Sequence, residues 1–288
     1  MLPYNFLKRT KKALGGHGLT KKPIIGKIYK SISKKVVPEF IMFEGNKIYL
    51  DSVDAINFAM NDYNESFENS FFKTQIKPGD IVLDIGANIG IYSLTAAKLV
   101  GNSGTVFSFE PDEICFTNLK KNAEKNSLKN IILVKKAVSN YNGKAEFSKS
   151  VNELSRSTNH LIFNHNDNVE SITIETISID KFLKDKLKKI NVVKIDVEGA
   201  EFEVFKGMKE LIKINNDLKI FFEFNPSALS RLNTKIPEFI DFLFDLNLSC
   251  YNIEEKTETK KLVDREWLMK FALKNSTKGY TNLFCIKK

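Results

Sequence analysis

Ile81-Val82-Leu83-Asp84-Ile85-Gly86-Ala87-Asn88-Ile89-Gly90, running on into Ile91-Tyr92-Ser93-Leu94-Thr95-Ala96-Ala97-Lys98-Leu99-Val100, is the stretch that decides the fold. Ile81–Ile85 is apolar apart from Asp84 and is bounded by Pro78-Gly79 and Gly86, the mark of a short buried strand. Ile91–Val100 predicts a helix, and the glycines between let the chain turn sharply and let a ligand approach the backbone. About twenty residues on, Phe109-Glu110-Pro111 ends the next strand with an acid, a spacing that suits a carboxylate accepting hydrogen bonds from a ribose diol. Two nucleoside cofactors compete for this turn. A dinucleotide requires G-x-G-x-x-G so that its pyrophosphate reaches the helix N-terminus, but Asn88 stands at the second glycine position and Ile91 at the third. Asp84 would repel a phosphate and attract the ammonium and sulfonium of S-adenosylmethionine (SAM), so charge favours the methyl donor.

Outward from the turn, strands and helices alternate. Thr105–Phe109 predicts a second strand, Asp112–Asn126 a helix with acids in its first turn, and Ile131–Lys135 a third strand. Val192–Asp196 and Lys219–Phe224 predict further buried strands around a helix at about 201–214. A helix near Pro237–Leu246 and strands near Ser249–Glu254 and Asn282–Ile286 follow. The expected fold class is therefore α/β, a doubly wound Rossmann-like sheet, mostly parallel, with helices on both faces. Gly143–Ser150 and Ser171–Ile177 predict extra strands, a β-rich insertion over about 143–178. Phe40–Glu44 and Lys47–Leu50 flank Gly45-Asn46 and predict a hairpin that opens a domain spanning 39–288.

Composition narrows the classes. Among 288 residues, 42% are hydrophobic and 27% charged, which excludes a disordered, collagen-like or coiled-coil chain. The apolar runs are too short for a membrane-spanning helix. Cys115, Cys250 and Cys285 match neither a disulfide framework nor a zinc spacing, which predicts a reducing, cytoplasmic setting. The formal charge of +9 is local: residues 1–38 hold ten of the 44 Lys and Arg and no acid, leaving 34 basic against 35 acidic residues elsewhere. Within this arm Ile24, Ile25, Ile28, Tyr29, Ile32 and Val36 lie at helical spacing with Lys27, Lys30, Lys34 and Lys35 between them. Such an amphipathic basic helix either packs on the body or binds an anionic membrane surface, which would make the protein peripheral at the inner membrane face. The arm lacks the apolar core and cleavage site of a signal peptide.

A second concentration of chemistry lies at Asp196-Val197-Glu198-Gly199-Ala200-Glu201, at the end of the fourth core strand, and at Glu223, at the end of the next. Ligands in doubly wound sheets bind beyond the carboxyl ends of the strands, so Asp196, Glu198 and Glu223 are expected to face one crevice. Crowded carboxylates raise one another's pKa, and one of them can then take the proton of an acceptor hydroxyl. They could instead bind a divalent metal that polarises the hydroxyl. His160 is a further proton-acceptor candidate, and Ser155, Arg156, Ser157 and Thr158 candidates for sugar hydrogen bonds, whereas His165 lies five residues from His160, off a metal-helix spacing. Acids rather than a stacking platform at this end argue against a nucleic-acid acceptor.

Six segments taken together resemble the FkbM family of SAM-dependent methyltransferases: VLDIGANIGIYSLTAAKLV, SFEPDEICFTNLKKNAEKN, AVSNYNGKAEF, TISIDKFL, VVKIDVEGAEFEVFKGM and FFEFNP. The likeness runs from about Glu65 to Pro226. It implies a class I methyltransferase sheet of seven strands, the last antiparallel, and O-methylation, most often of sugars in glycans, polysaccharides or natural products, so that a saccharide, glycan or glycolipid is the expected acceptor. It also implies that Asp84, Gly86, Asn88 and Gly90 hold the methionine part of SAM, with Glu65 near its amino-acid end. Glu110 would hold the ribose beside Pro111 and Asp112, and Ala137 and Val138, ending the third strand, would lie near the adenine. An RNA methyltransferase using the basic arm and an NAD-dependent oxidoreductase are the competing expectations.

Overall fold

The computed structural model describes residues 39–50, 66–148, 160–162, 171–184 and 189–287. The basic arm, Glu65, Ser155, Arg156, Ser157, Thr158 and His165 lie outside the described residues.

The chain opens with an antiparallel hairpin of β1 (Phe40–Phe43) and β2 (Asn46–Tyr49), followed by helix α1 (Phe67–Thr74). Then come β3 (Ile81–Ile85), α2 (Ile91–Val100), β4 (Thr105–Phe109), α3 (Glu113–Lys125) and β5 (Ile131–Val134). β6 (Ala137–Val138), β7 (Gly143–Ser148), β8 (His160–Ile162) and β9 (Ser171–Ile177) lead to α4 (Ile179–Leu183) and β10 (Val192–Ile195). α5 (Glu201–Gly207), α6 (Lys209–Ile214), β11 (Lys219–Phe224), α7 (Pro226–Arg231) and α8 (Ile236–Asp245) follow. β12 (Leu248–Glu254), β13 (Thr259–Val263), α9 (Arg265–Lys274) and β14 (Thr281–Lys287) come last.

The main sheet has the order β13-β12-β14-β11-β10-β3-β4-β5. β5, β4, β3, β10 and β11 run parallel, and β14 slots antiparallel between β11 and β12. This is the expected class I arrangement with one addition: the sheet has eight strands, because β13 pairs antiparallel on the outer side of β12. Thr259–Val263 buries only Val263, so its sequence lacks the apolar alternation that would announce a strand. Lys260 on this edge lies over the rings of Phe71, Tyr251 and Phe284, at 5.0, 5.1 and 5.2 Å.

The sheet separates two cores. Leu83, Ile85, Val193, Ile195, Ile220 and Phe222 face α5, α6 and α8, while Val82, Val106, Val192, Phe221 and Phe284 face α1 and α2. Side chains alternate along a strand, so each strand serves both cores. The hairpin β1–β2 is fastened to α3 by Asn122, fully buried, which accepts from Tyr49 N at 2.7 Å and donates to Ile89 O at 2.8 Å.

Two boundaries differ from expectation. Ala137 and Val138 do not end the third core strand, which stops at Val134, where Lys136 N turns back onto Val134 O at 2.9 Å. They form β6, which pairs with β9 in a second sheet of order β6-β9-β7-β8, so the inserted strands are a sheet of their own. The helix expected over 201–214 breaks into α5 and α6 at Gly207 and Met208. Gly207 passes so close to the second sheet that a Cβ there would lie 2.0 Å from Ser139 O.

Candidate active site

Strand order reverses between β3 and β10, and a crevice of about 370 Å³ opens at the carboxyl ends of β4, β3, β10 and β11. Its chemistry follows from the two-residue period of the strands. On the α1–α2 face the side chains run Val106, Ser108, Glu110 on β4 and Val82, Asp84, Gly86 on β3. On β10 they run Val192, Lys194, Asp196, and on β11 Phe221, Glu223. Each column therefore begins apolar in the core and reaches an ionisable group at or near the crevice. Register aligns the columns: Lys194 lies opposite Asp84, Asp84 opposite Ser108, and Ile195 opposite Phe222, so Asp196 and Glu223 emerge side by side.

At the donor end, Gly86, Asn88, Glu110, Pro111 and Asp112 line the crevice together, with Ala137, Val138 and Phe147 forming an apolar wall. Asp84 and Gly90 are not on the wall. Asp84 lies one layer down, where its carboxylate accepts from Ser93 Oγ at 2.5 Å, and burial raises its pKa to about 6. Gly90 takes φ +99° at the start of α2 and packs on Leu94 and Leu119. Glu110 is buried and accepts from Asn88 N and Asp112 N, both at 2.8 Å. Burial pushes it up to about 8, against those two donors. A carboxylate has about four lone-pair sites, so Glu110 keeps acceptor capacity for a diol. In the turn itself four N–H groups are already engaged: Gly86 N and Ala87 N donate to Phe109 O, Asn88 N to Glu110, and Gly90 N to Ala87 O. With these N–H groups engaged, the turn is a poor cradle for a pyrophosphate.

At the acceptor end Asp196, Glu198 and Glu223 line the same crevice, joined by Asn225 and Tyr280. The Asp196 side chain is 44% exposed, toward the crevice. Burial raises Asp196, which Lys194 opposes. Burial and then the neighbouring Asp196 and Glu223 push Glu198 to about 9, and burial with the Asp196 charge lifts Glu223 to about 7. Glu198 also adopts φ +54°, a left-handed conformation that a non-glycine residue holds only under constraint and that clusters at functional sites. Glu201 turns away from the crevice opening: its Oε1 accepts from Gly199 N at 3.2 Å, it is 1% exposed, and burial lifts it to about 7. Among the described residues no group of three His, Cys, Asp or Glu is arranged to hold a metal ion. His160 begins β8.

These raised carboxylates predict a pH dependence of stability. Glu198, Glu110, Glu201 and Glu223 keep their protons in the folded state above the ordinary value of 4.5, where the unfolded chain has lost them. Their contribution is fully present below that value and is lost as pH rises through about 7 to 9. Glu198→Gln is expected to flatten the upper part of this decline, measured by urea unfolding at about pH 6 and about pH 9. An unchanged slope would remove Glu198 from the account.

Several residues of the site are not among the candidates that the sequence offers. Asn225 donates to Glu223 Oε1 at 3.1 Å and caps α7 by accepting from Ala228 N at 3.2 Å. Tyr280 reaches the crevice from the loop before β14, far from any motif. Lys194 had a signal, a cation in the middle of the apolar run Val192–Ile195, because lysine is almost never fully buried unless paired.

A Rossmann-like class I methyltransferase sheet with its polar groups gathered at the switch point is the class this geometry defines. The model of the FkbM methyltransferase domain matches residues 84–250, and the chain belongs to that family. A protein of Saccharolobus solfataricus named "Probable cobalt-precorrin-6B C(15)-methyltransferase (decarboxylating)" is 45% identical over 64 residues, 22% of this chain and 32% of that one. The 31-O-demethyl-FK506 methyltransferase FkbM of Streptomyces tacrolimicus is 45% identical over 49 residues, 17% of this chain and 18% of its own. The matched segments thus span less than a third of these relatives' lengths. The crystal structure of a SAM-dependent O-methyltransferase from Thermotoga maritima superposes with a TM-score of 0.44 at 14% identity, covering 91% of this chain and 81% of that one. Among the described residues no helix is long and apolar enough to cross a membrane.

Proposed function

We propose that this protein is a SAM-dependent O-methyltransferase whose acceptor is a hydroxyl of a saccharide, glycan or glycolipid. The observation that carries the proposal is the joining, in one crevice, of a buried ribose-type carboxylate, Glu110, with the acid group Asp196, Glu198 and Glu223. Glu110 would accept from the ribose diol, and the wall of Ala137, Val138 and Phe147 would cover an adenine. Bound there, SAM would supply an electrophilic methyl on a cationic sulfur. Asp196 would orient the acceptor hydroxyl and receive its proton as the oxygen takes the methyl, a role that calls for a carboxylate at hydrogen-bonding reach. Glu223, braced by Asn225, would hold a second hydroxyl of the acceptor. The name of the Streptomyces tacrolimicus relative places its methyl on an oxygen, which supports the same chemistry here.

The crevice is lined by Glu110, Asp112, Asp196, Glu198 and Glu223 against one lysine, Lys136, a balance that opposes the phosphodiester of an RNA acceptor, and the engaged N–H groups of the turn oppose NAD. The basic arm, residues 1–38, would serve this reaction by holding the protein at an anionic membrane that carries a lipid-linked acceptor, each basic residue adding about 1 kcal/mol of attraction. The test is calorimetry followed by transfer. S-Adenosylhomocysteine (SAH) is expected to bind and NAD to give no heat. Labelled SAM is then expected to mark an alkali-stable methyl ether in a glycan or glycolipid extract. Binding of NAD in place of SAH would reverse the assignment.

A further inference from the structure

Lys194 occupies the middle of β10 between apolar neighbours, 2% exposed, and the Glu68 and Asp196 carboxylates hold its ammonium in the charged form against burial. A buried ammonium stabilises a fold no better than a well-packed apolar residue, so its presence calls for a reason in the site. Its Nζ lies 3.1 Å from Glu68 Oε1 on α1, 3.9 Å from Asp196 Oδ2, and 5.0 Å from the centre of the Tyr92 ring on α2. Glu68 is held in turn: its Oε2 accepts from Asn282 Nδ2 at 2.8 Å, and its backbone N–H is capped by Glu255 Oε1 at 3.0 Å. The ammonium therefore has a fixed partner behind it and the crevice carboxylate in front.

We propose that Lys194 is a positioning residue for the acceptor end: its ammonium, clamped by Glu68, orients the Asp196 carboxylate and keeps it charged on the crevice floor. The proposal rests on the methyl-transfer assignment above and adds to it the device that keeps the acceptor carboxylate ready. The other groups around Asp196 make such a device necessary. Asp84 faces it from β3, Glu68 from α1, and Tyr92 from α2. Glu223 faces it from β11, Glu198 and Glu201 from the loop into α5 and the start of that helix, and Tyr280 from the rim. Burial and the neighbouring Glu68 carboxylate favour a protonated, neutral Asp196, which could not accept a proton. Lys194 opposes that drift.

The experiment uses the full chain and two nucleosides, with no need of the acceptor. Sinefungin carries a protonated amine where SAM carries its transferable methyl, and SAH has a neutral sulfur there. The ratio of their affinities, measured by calorimetry from about pH 5 to about pH 8, reads the negative charge facing the methyl position. In the wild type sinefungin is expected to be preferred, the preference falling as acid neutralises Asp196. Lys194→Met is expected to move that fall to higher pH by about 1–3 units while leaving the SAH affinity unchanged, and Lys194→Arg to leave the fall near its place. In an Asp196→Asn background, Lys194→Met is expected to move nothing. Should Lys194→Met leave Glu68 orphaned and the protein unfolded, the paired variant Glu68→Gln with Lys194→Met carries the same expectation. A fall at the wild-type pH in the folded Lys194 variants overturns the positioning role alone, as does a shift that persists without Asp196. A wild type that binds neither nucleoside overturns the cofactor assignment and this role together.

Discussion

Asp196→Asn is expected to lower methyl transfer by about 10²–10⁴-fold while leaving the affinity for SAH within about twofold. The amide keeps the shape of the carboxylate and most of its packing but cannot receive the acceptor proton. The two ends of the crevice are held by different elements, so the loss should be confined to turnover. Glu110 and Asn88 belong to the ends of β4 and β3, and Asp196 to the end of β10. Transfer of a labelled methyl group, measured beside calorimetry on the same preparation, separates the two effects. Turnover near that of the wild type would take Asp196 out of the proton transfer and leave Glu198 or Glu223 to carry it. A parallel loss of SAH binding would show that Asp196 belongs to the donor end instead.

Gly86→Ala is expected to damage the fold itself. Gly86 takes φ +83°, and an added Cβ would stand 1.9 Å from Asp196 O and 2.8 Å from Asp196 C. Both contacts are backbone, so no rotamer relieves them, and β3 and β10 must separate where the crevice begins. That separation strains the bonds that close the junction, Gly86 N to Phe109 O and Asp196 N to Ile85 O, each 2.9 Å. A loss of about 3 kcal/mol or more in urea unfolding is expected, combining the left-handed strain with the forced shift. Gly101→Ala is the control for the close contact: with φ +64° and ψ −167° it carries backbone strain of about 1–3 kcal/mol, but an added Cβ meets nothing within 4 Å, so the smaller loss is expected. Equal losses in the two variants would mean that the close approach of β3 and β10 costs nothing.

The two glycines of the turn show what a sequence can disclose and what it cannot. Their presence after a strand points to a sharp turn, and the structure has one. The structure adds internal reasons to that one: Gly86 is pressed against the Asp196 backbone and Gly90 against Leu94 and Leu119. The parallel core was legible because its strands are apolar runs, and β3, β4 and β10 are closed by glycine or an acid. Strand Thr259–Val263 and the helix after it were not legible, since the strand buries one residue and the helix only Leu268 and Ala272. Ala137 and Val138 were placed at the crevice but on the wrong strand, because an apolar pair cannot reveal which of two sheets it joins. The acids Asp196, Glu198 and Glu223 could be anticipated from strand ends alone. Lys194 and Glu68 could not be joined by any sequence pattern, being 126 positions apart on elements that meet only through the sheet.

Strand β14 has a consequence for how the molecule comes into being. It is the last element to be synthesised among those described, yet it lies between β11 and β12 and pairs with both. A chain folded through Tyr280 but still without this strand would hold a sheet split in two, with unpaired edges on β11 and β12 facing a gap. Exposed edges of this kind recruit other chains, and pairing across so long a stretch of polypeptide is slow. The same strand brings Asn282 to Glu68, so the clamp behind Lys194 also closes only at that moment. Nascent chains should thus depend on chaperone shelter until β14 slides home, bringing Tyr280 to the crevice and Asn282 to the clamp together.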